Sequence, residues 1–463
     1  MTNFWDFSAW GFFNLIAVLL VALMAAHMLK RSIRWLEASL IPTSVLGGGI
    51  LLLISVIYNS ITGQEMFDTA FFGGKGTAWL ELITYHMLAL GFTASALKTT
   101  GGKLSKQRSI EIFNTGLTTV STYLLQALAG MIICIIGGIF IKELLEAGGL
   151  LLALGYGQGP GQAMNYGGIY ESDYGFVGGK SFGLTIASMG FLSASIGGVI
   201  HLNILKRQGR IKLDKGSGAT QEAVEGENEI PLQENLDKFT IQIALIMVAY
   251  LIAYLLMLLL GTLLPGMRNT IYGFNFLLGV LGATLLKNVM NFLQKKNIIH
   301  RNYTNNFLLN RSTNFFYDIM VTASIAAIRL DIIGKYWAVL LIMALMGLAV
   351  TYLYVHFVSH KLFPAYADQQ FLAMYGMLTG TASTGVILLR EIDGDFKTPV
   401  ADNLVYQNFP AIVFGFPLML LATLAPRKPL LTLGILAAFF LVMNVILFRS
   451  KLFRRKKAKS EVK

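Results

Sequence analysis

Two glycine-interrupted segments carry the side chains best suited to holding a small polar solute. The first reads Gly155-Tyr-Gly-Gln-Gly-Pro-Gly-Gln162 and runs on to Asn165; the second reads Gly376-Met-Leu-Thr-Gly-Thr-Ala-Ser-Thr-Gly385. Gln158, Gln162 and Asn165 in one, and Thr381, Ser383 and Thr384 in the other, are set among Gly157, Gly159, Gly161 and Gly380. Each glycine costs about 1 kcal/mol in a helix interior, so neither segment is expected to form one uninterrupted helix. A broken helix offers end amides with partial positive charge to an anionic group. Its unwound carbonyls suit a sodium ion. Close packing of small residues is the plainer explanation, but a packing face does not need so many polar partners.

A few ionisable residues lie in otherwise apolar stretches, where they are costly and therefore functional candidates. Asp318 is expected about one turn into a spanning helix at 314–333, where it could hold a cation or a proton or help pack the helix start. His86 is its counterpart earlier in the chain. Arg329 and Asp331 are expected near the far end of Asp318's helix, snorkelling or paired locally. Arg390 could clamp a carboxylate bidentately or pair with Glu391 or Asp393. Thr93 and Ser95, Thr185 and Ser188, and Asn408 are further polar candidates, although Ser and Thr often bond only to their own helix carbonyls. For sodium the candidates are Asp318 and Thr381. No His-Glu-x-x-His pair, Walker loop, nucleophile elbow or carboxylate cluster with metal-ligand spacing appears. No enzyme activity and no cofactor are therefore expected.

The elements that must position these residues follow from composition. The chain has 463 residues, 55% hydrophobic and 13% charged, and its mean hydropathy is +0.61. Soluble domains carry about 25% charged residues, so an ordinary soluble enzyme, a disordered chain and a disulfide scaffold are excluded. The single cysteine, Cys134, lies in an apolar run and reads as a packing residue. Apolar runs predict eleven spanning helices, near 10–29, 41–58, 80–97, 113–141, 180–205, 239–264, 271–290, 314–333, 336–358, 399–424 and 429–448. Residues 1–29 hold Asp6 and no Lys or Arg, so the first run reads as a retained helix, not a signal peptide. The glycine-rich stretches 148–168 and 371–389 are expected to enter and leave the membrane on one side.

The net charge of +12 fits the excess of Lys and Arg in cytoplasmic loops. With the N-terminus outside and the C-terminus cytoplasmic, 29 of the 37 Lys and Arg residues fall on the inside. No basic stretch interleaved with aromatics points to nucleic acid. The polar stretch 206–238 reads as a cytoplasmic linker. It separates a first repeat, 1–205, from a second, 239–424; residues 425–463 add one further helix and a basic tail facing anionic lipid.

The two halves match in pattern. Tyr85-His86, followed by Thr93-Ala94-Ser95, answers Tyr317-Asp318, followed by Thr322-Ala323-Ser324. Gly47-Gly48-Gly49 answers Gly279 and Gly282, and Asp173-Tyr-Gly-Phe176 answers Asp393-Gly-Asp-Phe396. Five spans per half is an odd number, so the second half is inverted relative to the first, an arrangement found in many secondary transporters. The expected fold is an all-α integral membrane protein with two inverted five-helix repeats. Each repeat has a re-entrant hairpin, and one extra C-terminal transmembrane helix follows.

At these residues the chain resembles the bacterial sodium/glutamate symporter family over most of 10–424. Ile41-Pro42-Thr-Ser-Val45-Leu-Gly47-Gly48 is similar to that family's Ile-Pro-x-Pro-Val-x-Gly-Gly, and Leu90-Gly-Phe-Thr-Ala-Ser95 to its Ile-Gly-Leu-x-Ala-Ser. Gly157-Gln-Gly-Pro-Gly-Gln-Ala163 resembles its Gly-His-Gly-Thr-Gly hairpin, and Gly376–Thr384 its second hairpin. The chain departs in carrying Gln158 for the hairpin histidine, Ser44 for the second proline, Arg390-Glu391 beyond the second hairpin, and the extra helix. The resemblance implies a homodimer in the bacterial inner membrane. It also implies sodium-coupled symport of glutamate or a related acidic amino acid by an alternating-access, elevator-like movement. The partners it implies are the lipid bilayer and a small anionic amino acid or carboxylate. Proton coupling, exchange of another small carboxylate, and a membrane-embedded enzyme are the alternatives.

Overall fold

A computed structural model of the protein describes residues 3–98, 105–211, 236–394 and 397–451. Most of the expected linker, the end of the Asp393–Phe396 motif and most of the basic tail lie outside the described residues. The described chain is helical throughout, in nineteen α-helices joined by short turns. In chain order these are α1 (Phe7–Ser32), α2 (Arg34–Ala38), α3 (Thr43–Thr62), α4 (Gly76–Leu97), α5 (Lys106–Phe140), α6 (Leu151–Gln158), α7 (Pro160–Tyr174), α8 (Gly179–Arg207) and α9 (Lys238–Leu263). There follow α10 (Arg268–Gly273), α11 (Asn275–Lys295), α12 (Asn306–Ala326), α13 (Leu330–Ile333), α14 (Trp337–Leu362), α15 (Ala367–Thr379), α16 (Ala382–Arg390), α17 (Val400–Tyr406), α18 (Asn408–Leu424) and α19 (Pro429–Leu447).

Among the described residues, nine helical segments are long and apolar enough to cross a membrane, and α17 with α18, bent by 47°, makes a tenth. The chain is a multi-pass membrane protein. Its helix surfaces agree. In α9 the buried stripe is Ile246, Ala249, Ala253, Met257 and Gly261, whereas Leu251, Leu255 and Leu259 are more than half exposed. Small residues inward and large apolar ones outward is the arrangement of a helix whose solvent is lipid.

The eleven expected spans need correction at two places: 399–424 is not one straight helix but α17 and α18, bent by 47°, and the limits of 314–333 shift. The helix placed at 314–333 is α12, which begins at Asn306 and ends at Ala326. The Asn305 side chain accepts a hydrogen bond from the Leu308 amide (2.8 Å) and starts the helix before its apolar run. Asp318 is therefore mid-helix, and Arg329 and Asp331 lie beyond the helix. With its polar start, α12 is long enough to span but is not among the nine apolar segments. Tyr85 and His86 are likewise in the middle of α4, not at its opening.

The chain divides into two compact units, each drawing on both halves of the sequence. One takes residues 1–30, 43–103 and 220–327; the other takes 31–42, 104–219 and 328–463. In the first unit α4 packs on α11 and α12, α3 on α12, and α11 on α9. Glycines set these approaches. A Cβ on Gly48 would lie 2.7 Å from the Ile325 side chain, Gly279 abuts the Thr93 hydroxyl, and Gly282 abuts the Ala249 carbonyl. In the second unit α5 packs on α6, α14, α18 and α19, α8 on α6, α7, α14 and α15, and α15 on α14 and α16.

Candidate functional site

Both glycine-interrupted segments are broken helices, and both belong to the second unit. The first breaks at Gly159, which caps α6 and α7 at once with φ +89° and ψ 176°. Only glycine adopts that region readily. Pro160 follows at the first position of α7, where its missing N–H costs nothing. The second breaks at Gly380-Thr381, between α15 and α16. Beyond this break α16 packs on α15: a Cβ on Gly376 would lie 2.8 Å from the Gly385 Cα, and Gly385 abuts the Ala373 carbonyl. Thr381 and Thr384 face each other across the first turn of α16, their hydroxyls 3.3 Å apart.

One side chain joins the two breaks. Gln126, fully buried on α5, donates from Nε2 to the Leu378 carbonyl (2.9 Å) near the end of α15 and to the Thr351 hydroxyl (2.8 Å) on α14. Its Oε1 faces Gly157 on α6 and has no hydrogen-bond partner among the described residues. Gly157 itself lies against the Tyr123 ring. On α8, Gly190 touches both the Thr379 carbonyl and the Tyr156 ring. The Tyr156 hydroxyl is in turn held by Ser193 (2.8 Å) and the Ala344 carbonyl (2.8 Å).

Three buried amide side chains gather around the first break, and five of their six polar atoms lack a partner among the described residues. These are Gln126 Oε1 and both amide atoms of Gln158 and of Gln162. Leaving a buried polar group unpaired costs about 1–3 kcal/mol, and native proteins seldom keep such groups without a reason. Gln162 is 1% exposed and sits in the first turn of α7, where the backbone amides have no intrahelical acceptor. Neutral amides, hydroxyls and helix-start N–H groups can orient a carboxylate or an ammonium and complete the shell of a monovalent cation, but they are poor acids and bases.

The expected site residues separate into two sets. Gly157, Gln158, Gly159, Gly161, Gln162, Asn165, Gly380, Thr381, Ser383 and Thr384 lie on the broken helices of the second unit. Thr93, Ser95 and Asp318 lie in the first unit. Thr93 is buried, and its hydroxyl donates to the Ala89 carbonyl (2.7 Å) of its own helix. Asp318 is exposed, whereas His86 Nδ1 lies 2.8 Å from the Tyr250 hydroxyl, so the two ionisable groups sit in different surroundings. Arg390 is exposed at the far end of α16, about 13 Å along the helix from Thr381 at 1.5 Å per residue.

Gln126, Tyr156, Gly190 and Thr351 were not legible as site residues. Gln126 is a single polar residue in a long apolar helix, and that isolation is the signal it offered. A second polar ladder joins α5 to α15 and α17. The Thr119 hydroxyl donates to Gln407 Oε1 (2.9 Å), Gln370 Nε2 donates to the Thr115 hydroxyl (3.2 Å), and Asn403 Nδ2 donates to Gln370 Oε1 (3.3 Å). Asn408 takes part by accepting from Gln407 Nε2 (3.1 Å). Among the described residues no group of three or more His, Cys, Asp or Glu side chains could hold a metal ion. Comparison with protein-family profiles and with curated protein sequences finds no match for the chain.

Proposed function

We propose that the protein is a secondary active transporter that carries glutamate or a related acidic amino acid together with sodium. The observation that carries this reading is the pair of broken helices in one unit, joined through Gln126 and flanked by the unpaired amides of Gln158 and Gln162. Irregular backbone at membrane depth is stable only against protein or a water-filled cavity, and in secondary transporters such breaks form the substrate site. The resemblance in motif order to sodium/glutamate symporters supplies the choice of solute and ion.

The helix pairings support inverted repeats. Exchanging α3 with α11 and α4 with α12 converts the α3–α12 pairing into α11–α4. Exchanging α5 with α14, α6 with α15 and α8 with α18 converts α14–α8 into α5–α18 and α5–α6 into α14–α15. On this reading the two broken helices are re-entrant hairpins entering from opposite faces. The second unit shifts across the membrane as an elevator, and the chain forms a homodimer in the bacterial inner membrane with its N-terminus outside and C-terminus cytoplasmic. Asp318 and Thr381 are separate sodium candidates, and Arg390 acts as an inside-loop charge.

Uptake into proteoliposomes tests this directly. A sodium gradient should drive saturable glutamate accumulation. Uptake that ignores sodium and follows a pH gradient would replace the coupling ion, and conductance without saturation or counter-flow would replace the transporter by a channel. Thermal stabilisation screened across amino acids and dicarboxylates, with and without sodium, names the ligand independently, because a ligand of the folded state raises its stability by mass action.

A further inference from the structure

Three apolar helices of the second unit bring their ends together: α5 begins where α14 and α19 end. An open cavity of about 540 Å³ lies between them. Its walls hold Lys106 on α5, Lys361 on α14 and Lys451 just beyond α19, with Ile110 and Leu362 as their apolar part. Sites for small ligands typically measure about 300–1,000 Å³. The cavity is built by side chains that fix α19 against its neighbours. The Tyr354 hydroxyl on α14 donates to Asn444 Oδ1 on α19 (2.8 Å). Arg449 Nη1 donates to Asn114 Oδ1 on α5 (3.1 Å), and its guanidinium lies 5.0 Å from the Phe113 ring centroid. Lys451 Nζ donates to the Lys361 carbonyl.

The charge in this cavity has one sign. Among the described residues Glu111 is the one carboxylate in its walls, and Arg108 on the same helix holds it at 2.7 Å. Lys106 and Lys361 are exposed and pair with no described carboxylate. Lys451 spends one of its three N–H groups on the Lys361 carbonyl. Lys361 and Lys451 stand at helix C-termini, where the dipole favours cations. That reason does not extend to Lys106. It stands in the first turn of α5, where the dipole disfavours a cation and no acidic residue accompanies it. A cleft lined by one sign of charge focuses its field on the opposite sign.

We propose that this cavity binds the phosphate headgroup of an anionic phospholipid through Lys106, Lys361 and Lys451. A lipid is favoured over a free anion by what adjoins the lysines. The cavity opens at the ends of spanning helices, the level at which headgroups lie. Ile110 in its wall is 43% exposed, and Phe357 is 50% exposed. Phe357 stands one turn before Lys361, on the same face of α14. Apolar surface for an acyl chain therefore borders the cationic mouth, an arrangement that a free phosphate does not use. Basic pockets between membrane helices take anionic headgroups in this way. A seated headgroup bridges α5, α14 and α19, so the extra C-terminal helix supplies one wall of a lipid site. The site is independent of the solute and the ion that the protein carries.

The test uses the full-length chain in detergent, titrated separately with phosphatidylglycerol, phosphatidylcholine and inorganic phosphate. Native mass spectrometry counts the bound lipid. Phosphatidylglycerol should bind saturably and more tightly than phosphatidylcholine. The K106Q/K361Q pair should weaken its binding roughly five- to thirtyfold, the effect of two basic groups at a headgroup. The K206Q/R207Q pair removes the same charge from the exposed end of α8 and should stay within about twofold of the parent protein. K106Q alone should give an intermediate loss, so the result does not depend on the double variant folding. Equal losses in the two pairs, or no loss in K106Q, overturn the site, because general surface charge would then account for binding. Equal affinity for phosphatidylcholine overturns its selectivity for anions. Inorganic phosphate that displaces phosphatidylglycerol and binds as tightly overturns the lipid assignment in favour of a free anion.

Discussion

Gln126 Nε2 donates to the Leu378 carbonyl at 2.9 Å, so one amide on α5 fixes the end of α15 while its own oxygen faces Gly157 on α6. That side chain ties the two broken helices together. Replacing it with leucine keeps the volume but leaves Leu378 and Thr351 without this donor. Q126L should lose about 1–3 kcal/mol of stability and most of its ligand-induced thermal shift. A thermal shift equal to that of the parent protein would remove Gln126 from the site.

Gly159 and Gly434 make a matched pair. Neither has a neighbour within 4 Å of an added Cβ, but only Gly159 has a positive φ. G159A should therefore cost about 1–3 kcal/mol through backbone strain alone. G434A, in the regular helix α19, should be neutral or stabilising by up to about 1 kcal/mol. Thermal unfolding of the two variants side by side checks the break at Gly159 without reference to any ligand.

The packing of α16 on α15 depends on glycine at two facing positions. An alanine at Gly376 meets the Gly385 backbone and one at Gly385 meets the Ala373 carbonyl. Backbone cannot swing aside as a side chain can. Each substitution should cost about 1–3 kcal/mol, and the double variant should depart from additivity because the sites touch. Fully additive losses in chemical unfolding would mean that the two helices do not pack there.

Asp318 is mid-helix and exposed. Asparagine keeps the shape without the charge at an exposed position, so D318N should fold. If the carboxylate holds sodium, the sodium concentration that half-saturates uptake should rise at least about tenfold, the loss of about 1.4 kcal/mol of binding, with H86Q unchanged as the control. A sodium dependence that survives D318N assigns Asp318 to packing.

Much of the architecture was readable along the chain because its causes are local. The apolar runs marked the spans, and Gly159-Pro160 and Gly380 marked the breaks, since a φ of +89° or a missing N–H is a property of one residue. Boundaries were less readable where a polar cap lay outside the apolar run. Asn305 starts α12 eight residues before the expected position, which moved Asp318 from the first turn to the middle. Hydropathy reports which segments prefer lipid, whereas helix limits are decided by where backbone amides find acceptors.

By itself, then, the sequence determined a helical membrane protein and two glycine-rich places where helices break, but not the 47° bend between α17 and α18. It also pointed to Gln158 and Gln162 beside the first break, but not to Gln126. Tertiary structure alone decided which distant residues meet: Gln126 with Leu378, Arg210 with Asp368, and compact units that draw on both halves of the chain. The physical reason is that a helix break is written in one residue's torsion preferences. Partners more than a hundred residues apart are chosen by packing, which the linear order of the chain does not record.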